Sequence, residues 1–176
     1  NYIEQATNNV GRLVLIGAVL LLITLFLFYF SWRTTLVSII VIPMSLVFAT
    51  WVLYLTGATF NAVVMAGLVI ALCVIVDDGI IDVENVARRM RARSEPDSED
   101  SIFAIVRDAA LEMRNPIGFA TLIILLTVMP ILFLEGLAGS FFQPLVQSYA
   151  LAVLVSLLVA LIFTPALNLI LLSRLP

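Results

Sequence analysis

The sequence contains no histidine, no lysine and a single cysteine among its 176 residues. Without histidine, and with Cys73 as the sole thiol, a Cys/His zinc site and an internal disulfide are both excluded. Charge of either sign is scarce: charged residues make up 12% of the chain, against about a quarter in an average soluble domain. Nine arginines face twelve acidic residues for a net charge of −3, and no basic tract exists that could neutralise a nucleic-acid backbone, so nucleic-acid binding is set aside. What is abundant is apolar. Hydrophobic residues reach 62%, with eleven Phe and a mean hydropathy of +1.16, a composition that points to membrane lipid as the surrounding solvent.

Uncharged runs cover 13–30, 36–55, 117–134 and 141–173, each long enough to cross a bilayer as a helix. A fifth apolar stretch begins at Ala62 and continues through Asp77, Asp78, Asp82 and Glu84 to Arg88. As a helix from 62 to 87 it would be about 39 Å long, more than the roughly 30 Å hydrocarbon core. The expected fold is therefore all-α, a polytopic membrane helical bundle in a single transmembrane domain over 1–176. Its helices are expected at 13–30, 36–55, 62–87, 117–134 and 143–172.

In the one long connection, Ser94-Glu-Pro-Asp-Ser-Glu-Asp reads as a turn and helix start. Ile102, Phe103, Ile105, Val106, Ala109, Ala110 and Met113 then recur on one helical face opposite Asp108 and Glu112. This pattern predicts an amphipathic helix over 98–113 on the cytoplasmic membrane surface, with Asn115-Pro116 opening the next span. The other reading is a small helix packed on a soluble neighbour.

Eight of the nine arginines (Arg33, Arg88, Arg89, Arg91, Arg93, Arg107, Arg114 and Arg174) fall on one side of this layout, and Arg12 falls on the other. The arginine-rich side is expected to be cytoplasmic, which puts Asn1 outside. Nothing in the first eleven residues could carry it there, and the first residue is not Met. The chain is accordingly expected to be a piece of a larger protein with an upstream helix.

Asp77 falls near the membrane middle or in its cytoplasmic half, where an ionisable side chain costs a few kcal/mol and is usually turned toward a partner or a water cavity. Two adjacent carboxylates in a low dielectric resist being ionised together, which suits the pair to taking up and releasing a proton. At about 100° per residue Asp77 and Glu84 share one stripe of the helix, and Asp78, Asp82 and Asn85 share the next. Together they form one polar face, with Asp82, Glu84 and Asn85 supporting the pair. Asp82 is expected nearer the cytoplasmic water, and Glu84 is one turn from Arg88 and suited to pair with it. Leu68, Val69, Leu72, Val76, Ile80 and Val83 lie opposite, while Gly67, Ala71 and Gly79 allow a second backbone to approach closely. A shorter span, with Asp77 onward as a wet extension, is the alternative; 62–76 alone, however, would reach only about 22 Å. Asp-Asp-Gly-Ile-Ile-Asp superficially suggests a Mg²⁺-dependent membrane transferase, but the spacing does not fit and no other span contains an acid. The same lack argues against an intramembrane aspartyl protease. A structural or assembly module without transport activity also remains open.

The segment Gly67-Leu-Val-Ile-Ala-Leu-Cys-Val-Ile-Val-Asp-Asp-Gly-Ile-Ile-Asp-Val-Glu-Asn-Val-Ala-Arg-Arg resembles the fourth transmembrane helix of the resistance-nodulation-division (RND) efflux transporters. Ser31-Trp-Arg-Thr-Thr-Leu with Ile42-Pro-Met-Ser resembles the turn between their second and third helices. Thr56-Gly-Ala-Thr-Phe-Asn resembles the entry to the fourth, Phe133-Leu-Glu-Gly-Leu-Ala-Gly the exit of the fifth, and Leu158-Val-Ala-Leu-Ile-Phe-Thr-Pro-Ala-Leu the sixth. The resemblance implies helices two to six of a first half-repeat in a trimeric bacterial inner-membrane permease. Such a pump is driven by proton motive force without a cofactor, and works with a periplasmic adaptor and an outer-membrane channel. It implies that Asp77 and Asp78 are the proton-relay aspartates, whose usual Lys partner belongs to the second half-repeat. The Asp pair is typical of the drug-exporting branch. The continuation Asp82-Val-Glu-Asn-Val-Ala-Arg-Arg and the stretch Leu134-Glu-Gly-Leu-Ala-Gly look closer to heavy-metal efflux of the copper/zinc-cobalt-cadmium kind. Met44, Met65, Met90, Met113 and Met129 could be read as soft metal ligands, although scattered Met is ordinary core filler; no metal site is assigned.

Overall fold

The computed structural model describes residues 12, 16–17, 19–21, 23–27, 32–92 and 99–172. Among these residues every regular element is helical, giving a helical membrane bundle. Helix α1 spans Trp32–Leu55, α2 Ala62–Ala92, α3 Glu99–Val128 and α4 Gly136–Leu172, with a 3₁₀ helix at Met129–Phe133 between the last two. All four α-helices contain a segment long and apolar enough to cross a membrane. The described positions from 12 to 27 are also helical; the expected span at 13–30 otherwise lies outside the described residues.

The connections follow local chemistry. Helix α1 ends where Gly57 takes a positive φ of 75°, a conformation that costs glycine nothing. Its amide donates to the Tyr54 carbonyl at 3.1 Å and the Ala58 amide donates to that of Leu53 at 3.2 Å, the paired bonds of a Schellman cap. Four residues later the Asn61 side-chain oxygen accepts from the amides of Val63 at 3.0 Å and Val64 at 2.9 Å, relieving two of the unpaired donors at the start of α2. At the connection after α3, Pro130 sits in the first turn of the 3₁₀ helix, Leu134 is extended, and Gly136 has a φ of 69°. The Gln143 amide of α4 then donates to the carbonyls of Leu132 at 3.1 Å and Leu134 at 2.8 Å, tying the connection down.

Two expectations are corrected. The helix predicted at 98–113 and the span predicted at 117–134 are one continuous helix, with Pro116 inside it, and the regular α-helix stops at Val128. Val106, Ala109, Ile117 and Thr121 are all buried, so one inward stripe runs straight through the proline; this continuous packing outweighs the backbone bond that Pro116 cannot donate. The apolar positions of 98–113 that are buried thus face protein: Asn85 donates to the Ala109 carbonyl at 3.5 Å, and Arg89 pairs with Glu112. Phe103 and Leu111 remain exposed. The last span also starts earlier than expected, at Gly136, because Pro144 and the polar residues before it are accommodated within the helix.

Helix α4 packs against every other element, and its contact with α2 is the most extensive. Ser148, Ala152, Ser156, Ala160, Thr164 and Asn168 recur every four residues and are all at most 5% exposed, forming one ridge of small and polar side chains. Against it α2 buries Val64, Leu68, Ala71 and Ile75. The backbones approach closely at Gly67, where an added Cβ would collide with the Leu145 carbonyl and the Ser148 hydroxyl. The expected close approach therefore exists at Gly67. At Gly79 the neighbour is only the Ile42 side chain, 3.5 Å from an added Cβ. Helix α3 is peripheral: 11% of its most apolar window is buried, against 39% for α4.

Candidate functional site

The acidic residues of α2 lie in its second half, and the rotation of the helix against α4 decides what each one meets. Asp77 is exposed, Asp78 is half-buried with its Oδ2 enclosed and without a hydrogen-bond partner, and Asp82 is 4% exposed. Glu84 is half-buried and Asn85 is 6% exposed. The polar face is thus split lengthwise. One edge, Asp82 and Asn85, turns into the bundle, while the other edge, led by Asp77, turns away from it. The adjacent pair Asp77/Asp78 straddles the boundary.

Two expectations about this face change. Asp82 is the most buried of the aspartates on α2, although it lies nearer the helix end; position along the axis does not set wetness when a neighbouring helix covers the side chain. Arg88 donates to Asn85 Oδ1 at 3.3 Å, and among the described residues no ion pair joins it to Glu84. Leu68 and Val83, expected on the side opposite the acids, are in the protein core, whereas Val69 is 62% exposed. The inward surface of α2 therefore includes parts of both the polar and the apolar faces.

Sequence patterning did not reveal the contribution of α4. Thr164 lies beside Asp82, close enough to act on its charge but short of hydrogen-bond geometry. One turn further along the same ridge, Asn168 is 1% exposed and, among the described residues, neither its oxygen nor its nitrogen has a hydrogen-bond partner. The signal was present as Thr and Asn inside an otherwise apolar run, four residues apart, a spacing that places both on one helical face.

This arrangement of a buried acidic helix against a small-residue ridge extends over a chain whose full length, residues 1–176, matches the model of the AcrB/AcrD/AcrF family. The chain belongs to the AcrB/AcrD/AcrF family. It is similar to the swarming motility protein SwrC of Bacillus subtilis, with 30% identity over 165 residues, covering 94% of this chain and 15% of that protein. It is also similar to the multidrug resistance protein MdtC of Pectobacterium atrosepticum, 30% identical over 178 residues, covering 99% of this chain and 16% of MdtC. The MdtC of an Escherichia coli strain is 30% identical over 167 residues, covering 93% and 15% respectively. The chain thus spans about a sixth of the length of these relatives, and family membership agrees with the RND resemblance of its motifs.

Proposed function

We propose that this chain forms part of the membrane domain of a proton-driven efflux transporter, and that Asp77 and Asp78 carry the proton whose inward movement drives export. The observation that carries this reading is the straddling pair. One carboxylate faces away from the chain's own bundle and its neighbour holds an enclosed oxygen without a partner, at mid-helix, where an uncompensated charge is expensive. In the ionised state a cation on the remainder of the transporter would lie against Asp77 and Asp78. Uptake of a proton by a carboxylate gives the neutral acid, removes that attraction and lets α2 shift against its neighbour.

Family membership favours transport over the membrane-transferase reading and over a passive assembly module. The printed names of the MdtC relatives favour drug-like cargo over metal ions. Met65 and Met90, at opposite ends of α2, are about 37 Å apart along the helix and do not form a ligand ladder. A homotrimer in the bacterial inner membrane, with an adaptor and an outer-membrane channel, completes the proposal.

The test is proton-driven efflux by the full-length transporter at equal expression. Asp77→Asn and Asp78→Asn keep side-chain shape and remove titration, and each should reduce efflux to background while insertion and assembly persist. Near-normal efflux in both variants would refute the assignment.

A further inference from the structure

Asp82, Thr164 and Asn168 are each at most 4% exposed, and the mechanism proposed above uses none of them. A fully buried amide with both ends unpaired, and a fully buried hydroxyl in the same condition, are rare in folded proteins. Here they sit on successive turns of the α4 ridge, with Thr164 beside a buried carboxyl. Such groups can hydrogen-bond a neutral carboxylic acid, and an enclosed position between two helices disfavours an unpaired carboxylate.

We propose that Asp82, with Thr164 and Asn168, forms a second proton-binding site enclosed between α2 and α4, distinct from the Asp77/Asp78 pair. The inference rests on the proton-driven reading above for its role in transport, but not for its existence. Asp82 binds the proton, converting carboxylate to carboxylic acid; the Thr164 hydroxyl beside it and the Asn168 amide one turn further along α4 are the polar groups available to the acid. Asp78 lies near enough on the same helix for its charge to act on Asp82, so the site can exchange protons with the pair one turn away.

The charged surroundings are few. On α4 the only titratable group is Tyr149, and on α1 there are only Arg33 and Tyr54. On α3, Arg107 and Asp108 bond to each other in solvent and Glu112 pairs with Arg89. On α2 itself, Asp77, Asp78 and Glu84 are the neighbouring acids, and Arg88 is directed to Asn85. Among the described residues no cation is paired with Asp82, so a proton is the positive charge best matched to it.

Infrared difference spectra of the purified full-length transporter, taken between acidic and alkaline buffer, count protonated carboxyl groups by their C=O stretch. Asp82→Asn should remove one such band that Asp77→Asn and Asp78→Asn leave in place, and Asp82→Glu should restore it at a shifted position. Thr164→Val keeps the volume and takes away the hydroxyl, so it should shift the band without removing it; this variant decides the matter even where Asp82→Asn fails to assemble. A spectrum unchanged by Asp82→Asn, or a band that Thr164→Val leaves unmoved, would overturn the site. If the band behaves as expected but Asp77→Asn and Asp78→Asn still transport, the efflux mechanism fails and the second site stands.

Discussion

Gly67 and Gly79 show how one residue type can serve different purposes on one helix. At Gly67 the absent side chain is what lets α2 reach the α4 backbone, since a Cβ would meet the Leu145 carbonyl, which cannot rotate away. At Gly79 a Cβ would make ordinary contact with Ile42. Gly67→Ala should therefore destabilise the full-length protein by about 1–3 kcal/mol, the usual cost of forcing extra atoms into a packed interface. Gly79→Ala should be neutral or gain about 0.5–1 kcal/mol, because a mid-helix glycine loses more backbone entropy than alanine. Denaturant titration of the two variants side by side checks the contrast; equal effects would mean that α2 and α4 do not meet at Gly67. Asp82 makes a similar point, since its burial depends on the ridge opposite and not on how far along the helix it lies.

Helix α3 shows what continuity at the scale of an element requires. Pro116 cannot donate to the carbonyl of Glu112, and its ring crowds that turn, a combination worth about 3 kcal/mol in an ordinary helix interior. The helix nevertheless runs through it, fixed to α2 by the Arg89–Glu112 pair and the Asn85–Ala109 bond before the proline and held by the burial of Ile117 and Thr121 after it. The ion pair is partly exposed and contributes little by itself, about 0.2–1 kcal/mol; the buried stripe provides most of the hold. Pro116→Ala should preserve assembly, slow amide hydrogen exchange over 112–120 and raise stability by about 1–3 kcal/mol. Faster exchange there would show that the proline is required for the helix's path.

For the whole molecule, the alternating chain direction gathers the connection at 56–61, the 3₁₀ turn and the start of α4 at one end, and Arg88, Arg89 and Arg107 at the other. If the arginine-rich end is cytoplasmic, as the distribution of positive charge implies, a cysteine placed at Thr59 in a Cys73→Ser background should react with an impermeant reagent only from outside. One placed at Arg91 should react only from the cytoplasm. The reverse pattern would invert the orientation. Many large apolar side chains on the outer surface of the bundle, among them Val69, Ile70, Phe119 and Ile123, are suited to lipid or to further helices.

The sequence alone determined that the chain is helical and membrane-embedded, because run length and lack of charge are properties of the chain itself. It also determined where α1 ends and α2 begins, since Gly57 and Asn61 act on bonds within a few residues of themselves. The acidic face of α2 was legible for the same reason: a period of 3.6 residues sets the angles between Asp77, Asp78 and Asp82. Only the tertiary structure decided which edge of that face turns inward, because periodicity carries no information on how a helix is rotated against its neighbours. Packing of Gly67 and Ala71 on the α4 ridge settles that rotation, and it buries Asp82 beside Thr164 while leaving Asp77 outside. The path through Pro116 was equally non-local: the proline signals a break to its own turn, and the stripe from Val106 to Thr121, held from outside α3, overrides it.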